Sequence, residues 1–261
     1  MKKSRQKISR GEKMDDIKTA AVIPARYDSK RFPAKALAEI NGKAMIVRVM
    51  EAVNKSDLIE EVIVATDDPR IKQLVETAGG KAVMTSQNHT TGTDRIAEAA
   101  ENIDAELIVN VQGDEPLIKA ETIAEALEPF KTNPDLKMST LRRKLKSEAA
   151  DNSDIVKVIV DKDDNALFFS RAALPFYRNT NLADRIYYQH IGLYVYRKDF
   201  LLEYSAMEST PLERAESLEQ LRVLENGYKI KVVETDAKLI GVDRKEDIAL
   251  VEKELKKLEN E

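Results

Sequence analysis

Four basic side chains lie within ten residues near the start of the chain, in ARYDSKRFPAK: Arg26, Lys30, Arg31 and Lys35. The small residues of this segment let backbone amides approach an anion, and Pro33 stiffens its exit. Arg26 and Lys35 can neutralise several phosphate oxygens. The segment matches neither G-x-x-x-x-G-K-[ST] nor G-x-G-x-x-G. We therefore expect a polyphosphate site that differs from those of P-loop kinases and Rossmann dehydrogenases.

The composition of the chain makes this basic segment a local feature. The 261 residues include 42 basic and 46 acidic side chains, a net charge of −4, which argues against a nucleic-acid-binding protein. The absence of cysteine excludes disulfides, thiolate catalysis and cysteine-based zinc sites. With His89 and His190 as the two histidines, a metal ion would need carboxylate ligands, which suits Mg²⁺. No apolar stretch approaches 18 residues, so we expect no membrane insertion.

Strands and helices are predicted to alternate over the first half of the chain. The predicted strands are continuously apolar, which is typical of a parallel sheet covered by helices on both faces. The expected strands are residues 19–24, 61–66, 81–85 and 106–113, and the expected helices lie within 44–53, 67–80, 93–103 and 121–130. Ligands of such sheets bind at the carboxyl ends of the strands. The basic segment and the acidic loop QGDEP should therefore meet at one edge.

The pattern changes after residue 130. The stretches KMSTLRRKL, IVKVIVD, ALFFSRA and HIGLYVYR are strand-like and lack intervening helices, and residues 161–166 have the composition of a hairpin turn. We expect an antiparallel subregion over 131–210, a helix over 212–227, a strand over 229–235 and a closing helix over 243–258. Residues 1–17 lack the apolar core of a signal peptide and are predicted to form a flexible basic arm, with 18–261 as a single domain.

The opening stretch IPARYDSKRFPAK, followed by INGKAMI, resembles the sugar-activating nucleotidyltransferases, in particular the cytidylyltransferases that activate 3-deoxy-manno-octulosonate (Kdo). Further matching stretches follow in the family's order over about residues 19–255, among them HTTGTDR, QGDEP, FSRAALPF, SLEQLRVLENG and GVD. The resemblance implies a mostly parallel Rossmann-like sheet with an antiparallel dimerisation region. It also implies a cytoplasmic Mg²⁺-dependent homodimer that converts CTP and Kdo to CMP-Kdo and pyrophosphate for lipopolysaccharide or capsule synthesis.

The resemblance also implies roles for particular residues. Arg26 and Lys35 match the residues that bind the triphosphate, and Asp114 and Asp243 match the metal-binding carboxylates; these four form the expected catalytic set. The expected nucleotide-binding residues are Arg26, Ser29, Lys35, Ser86, Gly92, Thr93 and Gln112. The expected sugar-binding residues are Gln112, Arg171, His190, Tyr194, Glu219 and Gln220.

Three positions depart from the family pattern. Ala34 stands where relatives have glycine, so a positive φ at this residue would strain the backbone. Ala36 stands where proline is frequent, and Ser86 where many relatives have arginine. Several alternatives to Kdo activation therefore stay open: a cytidylyltransferase for 8-amino-Kdo or a sialic-type nonulosonate, and a CTP-binding homologue without catalysis. A globular α/β protein whose strand-end charges are merely solvated is a further alternative.

Overall fold

A computed structural model of the chain describes residues 17–28, 31–89 and 91–258. The described strands, in chain order, are β1 (Thr19–Ala25), β2 (Glu39–Ile40), β3 (Lys43–Ala44), β4 (Glu61–Thr66), β5 (Lys81–Met84), β6 (Leu107–Asn110), β7 (Met138–Leu145), β8 (Lys157–Val160), β9 (Ala166–Ser170), β10 (Tyr187–Arg197) and β11 (Lys231–Glu234).

The helices surround these strands. They are α1 (Met45–Val53), α2 (Pro69–Thr77), α3 (Gly92–Ala100), α4 (Ala120–Leu127), α5 (Lys198–Ser205), α6 (Pro211–Glu216), α7 (Gln220–Glu225) and α8 (Asp247–Leu258). Short 3₁₀ turns cover Lys35–Leu37, Glu128–Lys131, Ser147–Ala149 and Leu182–Asp184. No described helix is both long enough and apolar enough to cross a membrane.

Nine of the described strands form one mixed sheet. Seven of them have the order β11-β7-β10-β6-β1-β4-β5, while β8 pairs with β10 outside this order and β9 pairs with β8. The strands β6, β1, β4 and β5 are parallel, which confirms the alternating pattern of the first half. Strand β10 runs antiparallel to β6 and β7, while β11 is parallel to β7. The predicted fold class is therefore confirmed, and the antiparallel strands extend the parallel sheet.

The side chains of β1 alternate between two cores. Ala21 and Ile23 pack in the cluster that contains α1 and α4, whereas Ala20 and Val22 pack in the cluster that contains α3 and α5. This alternation follows from the two-residue period of a strand. Ile17 also belongs to the first cluster and is buried, so the described chain is already packed at its first residue. Residues 1–16 of the predicted arm lie outside the described residues.

Local sequence signals fix several helix ends. Asp68 accepts a hydrogen bond from the backbone amide of Arg70 (2.9 Å), and Pro69 occupies the first position of α2. This N-cap arrangement satisfies a backbone amide that has no partner within the helix. The predicted hairpin at 161–166 is also confirmed, since β8 and β9 pair antiparallel across it.

The predicted continuous helix over 212–227 is wrong. The chain forms α6 and α7 instead, because Ser217 adopts the left-handed conformation (φ 52°, ψ 50°) and ends α6. The carboxylate of Glu216, the last residue of α6, accepts hydrogen bonds from the Ser170 hydroxyl (2.6 Å) and the Arg171 amide (2.9 Å). These are tertiary contacts with the end of β9, so the apolar spacing of the sequence could not predict them. The closing helix α8 begins at Asp247, four residues later than predicted.

Candidate active site

A cleft of about 490 Å³ opens at the carboxyl ends of β1 and β6, where the sheet was expected to bind its ligand. Its walls come from the basic segment, the start of α3, the loop after β6 and the segment before α8. The residues that line it are Pro24, Ala25, Arg26, Arg31, Lys35, Ala36, Met45, His89, Thr91, Gly92, Arg95, Gln112, Gly113, Asp114, Glu219 and Asp243.

The basic segment turns back on itself immediately after β1. The backbone amide of Ala34 donates to the carbonyl of Tyr27 (3.0 Å), which closes the loop, and Ala34 has φ 56° and ψ 25°. The left-handed conformation starts the 3₁₀ turn that carries Lys35 into the cleft. Arg26 is exposed on the rim. Ser29, the third predicted residue of this segment, lies outside the described residues.

Lys35 joins the two aspartates that are 129 positions apart in the chain. Its Nζ lies 2.5 Å from Asp114 Oδ2 and 3.8 Å from Asp243 Oδ1. Arg31 Nη2 approaches the same Asp243 oxygen at 2.7 Å. The structure therefore places both aspartates within 4 Å of one ammonium, at the position where the basic segment enters the cleft.

Backbone contacts hold the acidic loop against its neighbours. The amide of Val242 donates to the carbonyl of Asp114 (2.9 Å), so the segments carrying the two aspartates are directly hydrogen-bonded. A Cβ atom on Gly113 would lie only 2.8 Å from the Pro24 carbonyl oxygen, so this position requires glycine for the loop to approach the end of β1. The order QGD thereby places Asp114 beside the basic segment.

Glu115 adds a third carboxyl group behind the two aspartates. Burial and the neighbouring Asp114 charge raise its pKa to about 8, against the opposing effect of Arg143. Its Oε2 is buried and makes no hydrogen bond to a described residue. A Cβ atom on Gly241 would lie 3.1 Å from Oε1, so the glycine of GVD leaves room for this carboxyl group. Burial therefore favours the neutral form of this carboxyl group beside Asp114.

The beginning of α3 forms the opposite wall. Thr91 caps the helix by accepting from the Asp94 amide (3.1 Å), and a Cβ atom on Gly92 would lie 3.7 Å from Pro24, an ordinary contact. Arg95 is buried beneath this wall, where it pairs with Asp67 (2.7 Å). A helix N-terminus with its free amides favours negative charge, so this wall suits an anionic ligand.

The predicted nucleotide residues Ser86 and Thr93 lie outside the lining of the cleft. The Ser86 amide donates to Glu98 (2.9 Å), and its hydroxyl accepts from the Asn88 amide (3.1 Å). Thr93 is buried and donates to the carboxylate of Glu219 (2.6 Å). Thr93 therefore positions a residue that does line the cleft.

A polar cluster connects this wall to β10. Gln112 Nε2 donates to Asn110 Oδ1 (2.8 Å), and its side chain lies beside the bulge of β10 at Gly192. Burial raises the pKa of Glu219, although the hydrogen bond from Thr93 opposes this effect. Burial also raises the pKa of Tyr194, with smaller contributions from the Tyr196 hydroxyl and the Glu219 charge. Within this cluster Gln112 and Glu219 line the cleft, where they offer an amide and a carboxyl group to a polar ligand, whereas Tyr194 lies outside the lining.

The other predicted sugar-binding residues lie behind the lining of the cleft. His190 contacts the Thr140 hydroxyl (3.0 Å) and the edge of Phe169, and burial lowers its pKa to about 3. Arg171 Nε donates to the carbonyl of Glu216 (2.9 Å), and its Nη1 donates to the carbonyl of Ser153 (3.0 Å). Gln220 is buried at the start of α7. None of these three lines the described cleft, whereas Gln112 and Glu219 do.

Several lining residues were not among the predicted site residues. Arg31 belongs to the quoted basic segment, so its charge was a usable signal. His89, Thr91 and Arg95 fall in and beside HTTGTDR, where the prediction selected Gly92 and Thr93 instead. The position of Met45 could not be anticipated from charge or motif, because α1 reaches the cleft only through the folded arrangement.

The sheet topology and the charged cleft define a protein of the nucleotide-binding α/β class. The family model for cytidylyltransferases matches residues 20–230, and the chain belongs to this family, among its 3-deoxy-manno-octulosonate cytidylyltransferases. The protein of that description from Geobacter metallireducens is 50% identical, over 93% of this chain and 100% of its own length. The one from Fusobacterium nucleatum is 52% identical, over 90% and 96%.

Solved structures give the same result. The structure of CMP:2-keto-3-deoxy-manno-octonic acid synthetase complexed with CTP has a TM-score of 0.88 and 39% identity, and the match covers 92% of this chain and 99% of that one. The 4-diphosphocytidyl-2C-methyl-D-erythritol synthase of Anaerococcus prevotii has a TM-score of 0.59 at 18% identity, over 92% and 99% of the two chains. The latter match concerns the fold alone.

Proposed function

We propose that the protein transfers CMP from CTP to the anomeric hydroxyl of Kdo, with release of pyrophosphate, in lipopolysaccharide or capsule synthesis. The observation that carries the proposal is the meeting of Lys35 with Asp114 and Asp243 at the cleft. This set combines a phosphate-binding cation with two carboxylates at the end of a nucleotide-binding sheet. The relatives described as Kdo cytidylyltransferases and the related structure complexed with CTP support the choice of both substrates.

The proposed step is attack by the anomeric oxygen of Kdo on the α-phosphorus of CTP. A new oxygen–phosphorus bond forms as the hydroxyl gives up its proton to solvent, the bond from the α-phosphorus to the bridging oxygen breaks, and pyrophosphate leaves with the electron pair of that bond. The side chains of Arg26 and Lys35 bind the β- and γ-phosphates and stabilise the charge that develops on them. Catalysis of this type depends on alignment and charge stabilisation rather than on a covalent intermediate with the protein.

Asp114 and Asp243 are the proposed ligands of Mg²⁺. Mg²⁺ commonly takes one or two protein carboxylates and completes its shell with phosphate oxygens and water, so this pair fits the ion. No group of three or more histidine, aspartate or glutamate side chains that could hold a metal ion occurs in the described ranges. The side chain of Glu115, whose buried Oε2 makes no hydrogen bond to a described residue, is proposed to offer a further oxygen ligand next to Asp114. When bound, Mg²⁺ neutralises phosphate charge and polarises the reacting phosphoryl group.

The remaining predicted residues are proposed to bind the two substrates. Gln112 is proposed to contact both ligands, and Ser29, Ser86, Gly92 and Thr93 are assigned to the nucleotide side. Glu219 and Gln112 face the cleft on the sugar side. His190, Tyr194 and Gln220 are assigned to shaping that side from behind, and Arg171 to the sugar carboxylate.

Residues 18–261 are proposed to form a single nucleotidyltransferase domain. The subregion 131–210 is proposed to bind the sugar and to build a homodimer. Leu167, Phe176, Leu182 and Ile186 in this subregion are exposed large apolar side chains. Such a group is typical of a protein–protein interface. A cytoplasmic location is proposed on the basis of the family resemblance.

The experiment that tests this function is pyrophosphate release from CTP and Kdo, with Mg²⁺ or with EDTA. Asp114→Asn should lower the rate by at least roughly 10²–10³, the typical effect of removing one preorganised charge-stabilising group. Asp57→Asn, at an exposed position outside the cleft, should leave the rate unchanged. Turnover by Asp114→Asn at the wild-type rate would contradict the assignment, and a preference for 8-amino-Kdo in competition would correct the acceptor.

A further inference from the structure

The carboxylates proposed to bind Mg²⁺ are already paired with side chains proposed to bind the triphosphate. Asp114 is paired with Lys35 (2.5 Å), and Asp243 is paired with Arg31 (2.7 Å) and lies 3.8 Å from Lys35. Two cations and two carboxylates therefore neutralise one another at the centre of the site. Neither the metal nor the nucleotide can use its full set of partners until these ion pairs separate.

The two ion pairs differ in their surroundings. The side chains of Lys35 and Asp114 are only 16% and 29% exposed, so solvent and salt screen this pair weakly. The side chains of Arg31 and Asp243 are more than half exposed, and pairs of that kind contribute little. The contact between Lys35 and Asp114 is therefore the main competitor for a cation.

Arg26 differs from both of its basic neighbours. It lines the cleft and is exposed, and it makes no ion pair with any carboxylate within 17–28, 31–89 and 91–258. An approaching triphosphate can thus contact Arg26 without first breaking an ion pair. The same phosphates can then draw the ammonium of Lys35 and the guanidinium of Arg31 away from the aspartates.

We infer that triphosphate and divalent cation bind this site cooperatively by exchanging ion pairs. Each ligand separates Lys35 from Asp114, and each thereby favours binding of the other. The inference rests on the proposed function, since it takes a nucleoside triphosphate and Mg²⁺ as the ligands. An ammonium at 2.5 Å occupies the carboxylate oxygen that a divalent cation needs, and it repels that cation. Phosphate binding to Lys35 removes this competitor, and metal binding to Asp114 releases Lys35 for phosphate. Coupling of this kind is reciprocal and typically amounts to roughly 5- to 150-fold.

The first test measures Mn²⁺ binding in the absence of nucleotide, by the electron paramagnetic resonance signal of free Mn²⁺. Lys35→Gln removes the competing ammonium and should raise the Mn²⁺ affinity about tenfold, near the lower end of that range. Lys35→Arg keeps the positive charge and should stay at the weak wild-type affinity. Arg26→Gln also removes a cation from the cleft, but one that pairs with no carboxylate of the described residues, and should leave the Mn²⁺ affinity within about twofold of wild type.

The second test measures the converse effect, CTP binding in EDTA by calorimetry. Asp114→Asn releases Lys35 from its ion pair and should raise the metal-free CTP affinity several-fold. Asp57→Asn provides the matched control and should have no effect. Circular dichroism of each variant establishes that the fold is retained.

Two results would overturn the inference: an unchanged Mn²⁺ affinity in Lys35→Gln, and an unchanged metal-free CTP affinity in Asp114→Asn. Neither measurement involves Kdo or turnover. If both affinities rise but no pyrophosphate is released with Kdo, the ion-pair exchange stands and the proposed acceptor is wrong. If pyrophosphate is released but neither affinity changes, the proposed function stands and the exchange is refuted.

Discussion

Ala34 shows how a single backbone conformation can matter at the active site. Its φ of 56° lies in the left-handed region, which costs a residue with a Cβ atom about 1–2 kcal/mol. A positive φ was predicted to strain this alanine, and the structure has such a φ. The strain is placed one residue before Lys35, where the loop must turn to direct this side chain into the cleft.

Ala34→Gly is therefore expected to stabilise the protein. Relief of the left-handed strain is partly offset by the roughly 0.5–1 kcal/mol that glycine loses in conformational entropy relative to alanine. We expect the free energy of unfolding to rise by about 0.5–1 kcal/mol in urea denaturation. Ala38→Gly is the matched control, because Ala38 has an ordinary φ of −62° and should be destabilised by the substitution. A loss of stability in Ala34→Gly would contradict this account.

His190 makes stability sensitive to acid. Burial lowers its pKa to about 3, so the folded protein holds a neutral imidazole at pH values where the unfolded chain, with a pKa near 6.5, is protonated. The unfolded state then binds more protons, and stability falls as the pH decreases from about 6.5 towards 3. His190→Gln should reduce the slope of stability against pH, and the upper limit of this reduction is about 1.4 kcal/mol per pH unit. We expect a smaller reduction than this limit because the residue is partly exposed. Urea denaturation between pH 7 and pH 4 measures it, and an unchanged slope would exclude His190 as the cause.

The charged residues of the site were the easiest to predict and their partners the hardest. Arg26, Lys35, Asp114 and Asp243 occupy short motifs that a sequence displays directly. The pairing of Arg31 with Asp243 joins residues 212 positions apart, and only the completed sheet brings them together. The same holds for Thr93 and Glu219, which are 126 positions apart. The type of a side chain indicates its chemistry, whereas its ion-pair and hydrogen-bond partners depend on the fold.

At the scale of elements, periodicity predicted strands and most helices but missed the break between α6 and α7. The apolar spacing of 212–227 is helical on both sides of Ser217, so no local signal separates the two helices. The break aligns Glu216 with the end of β9 and leaves Glu219 at the cleft. It is a site where a tertiary hydrogen-bond network outweighs helical propensity.

A buried ion pair holds these two helices together. Glu213 in α6 receives Arg222 Nε (2.9 Å) and Nη2 (2.5 Å), and its side chain and that of Arg222 are both less than 10% exposed. Glu213 also accepts from the Thr210 amide (3.1 Å) in the capping box of α6. Removing one partner leaves the other charge buried without compensation.

Glu213→Ala is accordingly expected to lower the free energy of unfolding by about 3–5 kcal/mol. Guanidinium denaturation followed by circular dichroism measures the change. Glu254→Ala, which removes an ion pair with the exposed Lys257, should cost no more than about 1 kcal/mol. Similar losses in the two variants would mean that burial does not set the strength of the α6–α7 pair.

At the scale of the molecule, the alternating half of the sequence predicted the parallel strands because each βα unit is local. The arrangement of β7, β10 and β11 was less accessible, since β11 pairs with β7 across about 90 residues of chain. Strand β10 is the critical addition: it runs antiparallel beside β6 and its bulge at Gly192 lies against Gln112. The proposed sugar side of the site thus depends on a strand whose neighbours the sequence alone did not specify.

The last expectation concerns the proposed homodimer. Phe176 is 86% exposed, and Leu182 and Ile186 are also more than half exposed. Exposure of these apolar side chains to water is unfavourable in free energy, and contact with a second copy of the chain would bury them. Phe176→Glu should convert the dimer to a monomer, as sedimentation equilibrium at micromolar concentration would show. Leu250→Glu substitutes an equally apolar exposed residue on α8, outside the subregion 131–210, and should remain dimeric. A monomeric wild type would contradict the proposed homodimer. A Phe176→Glu dimer as stable as the wild-type dimer would show that the interface lies elsewhere.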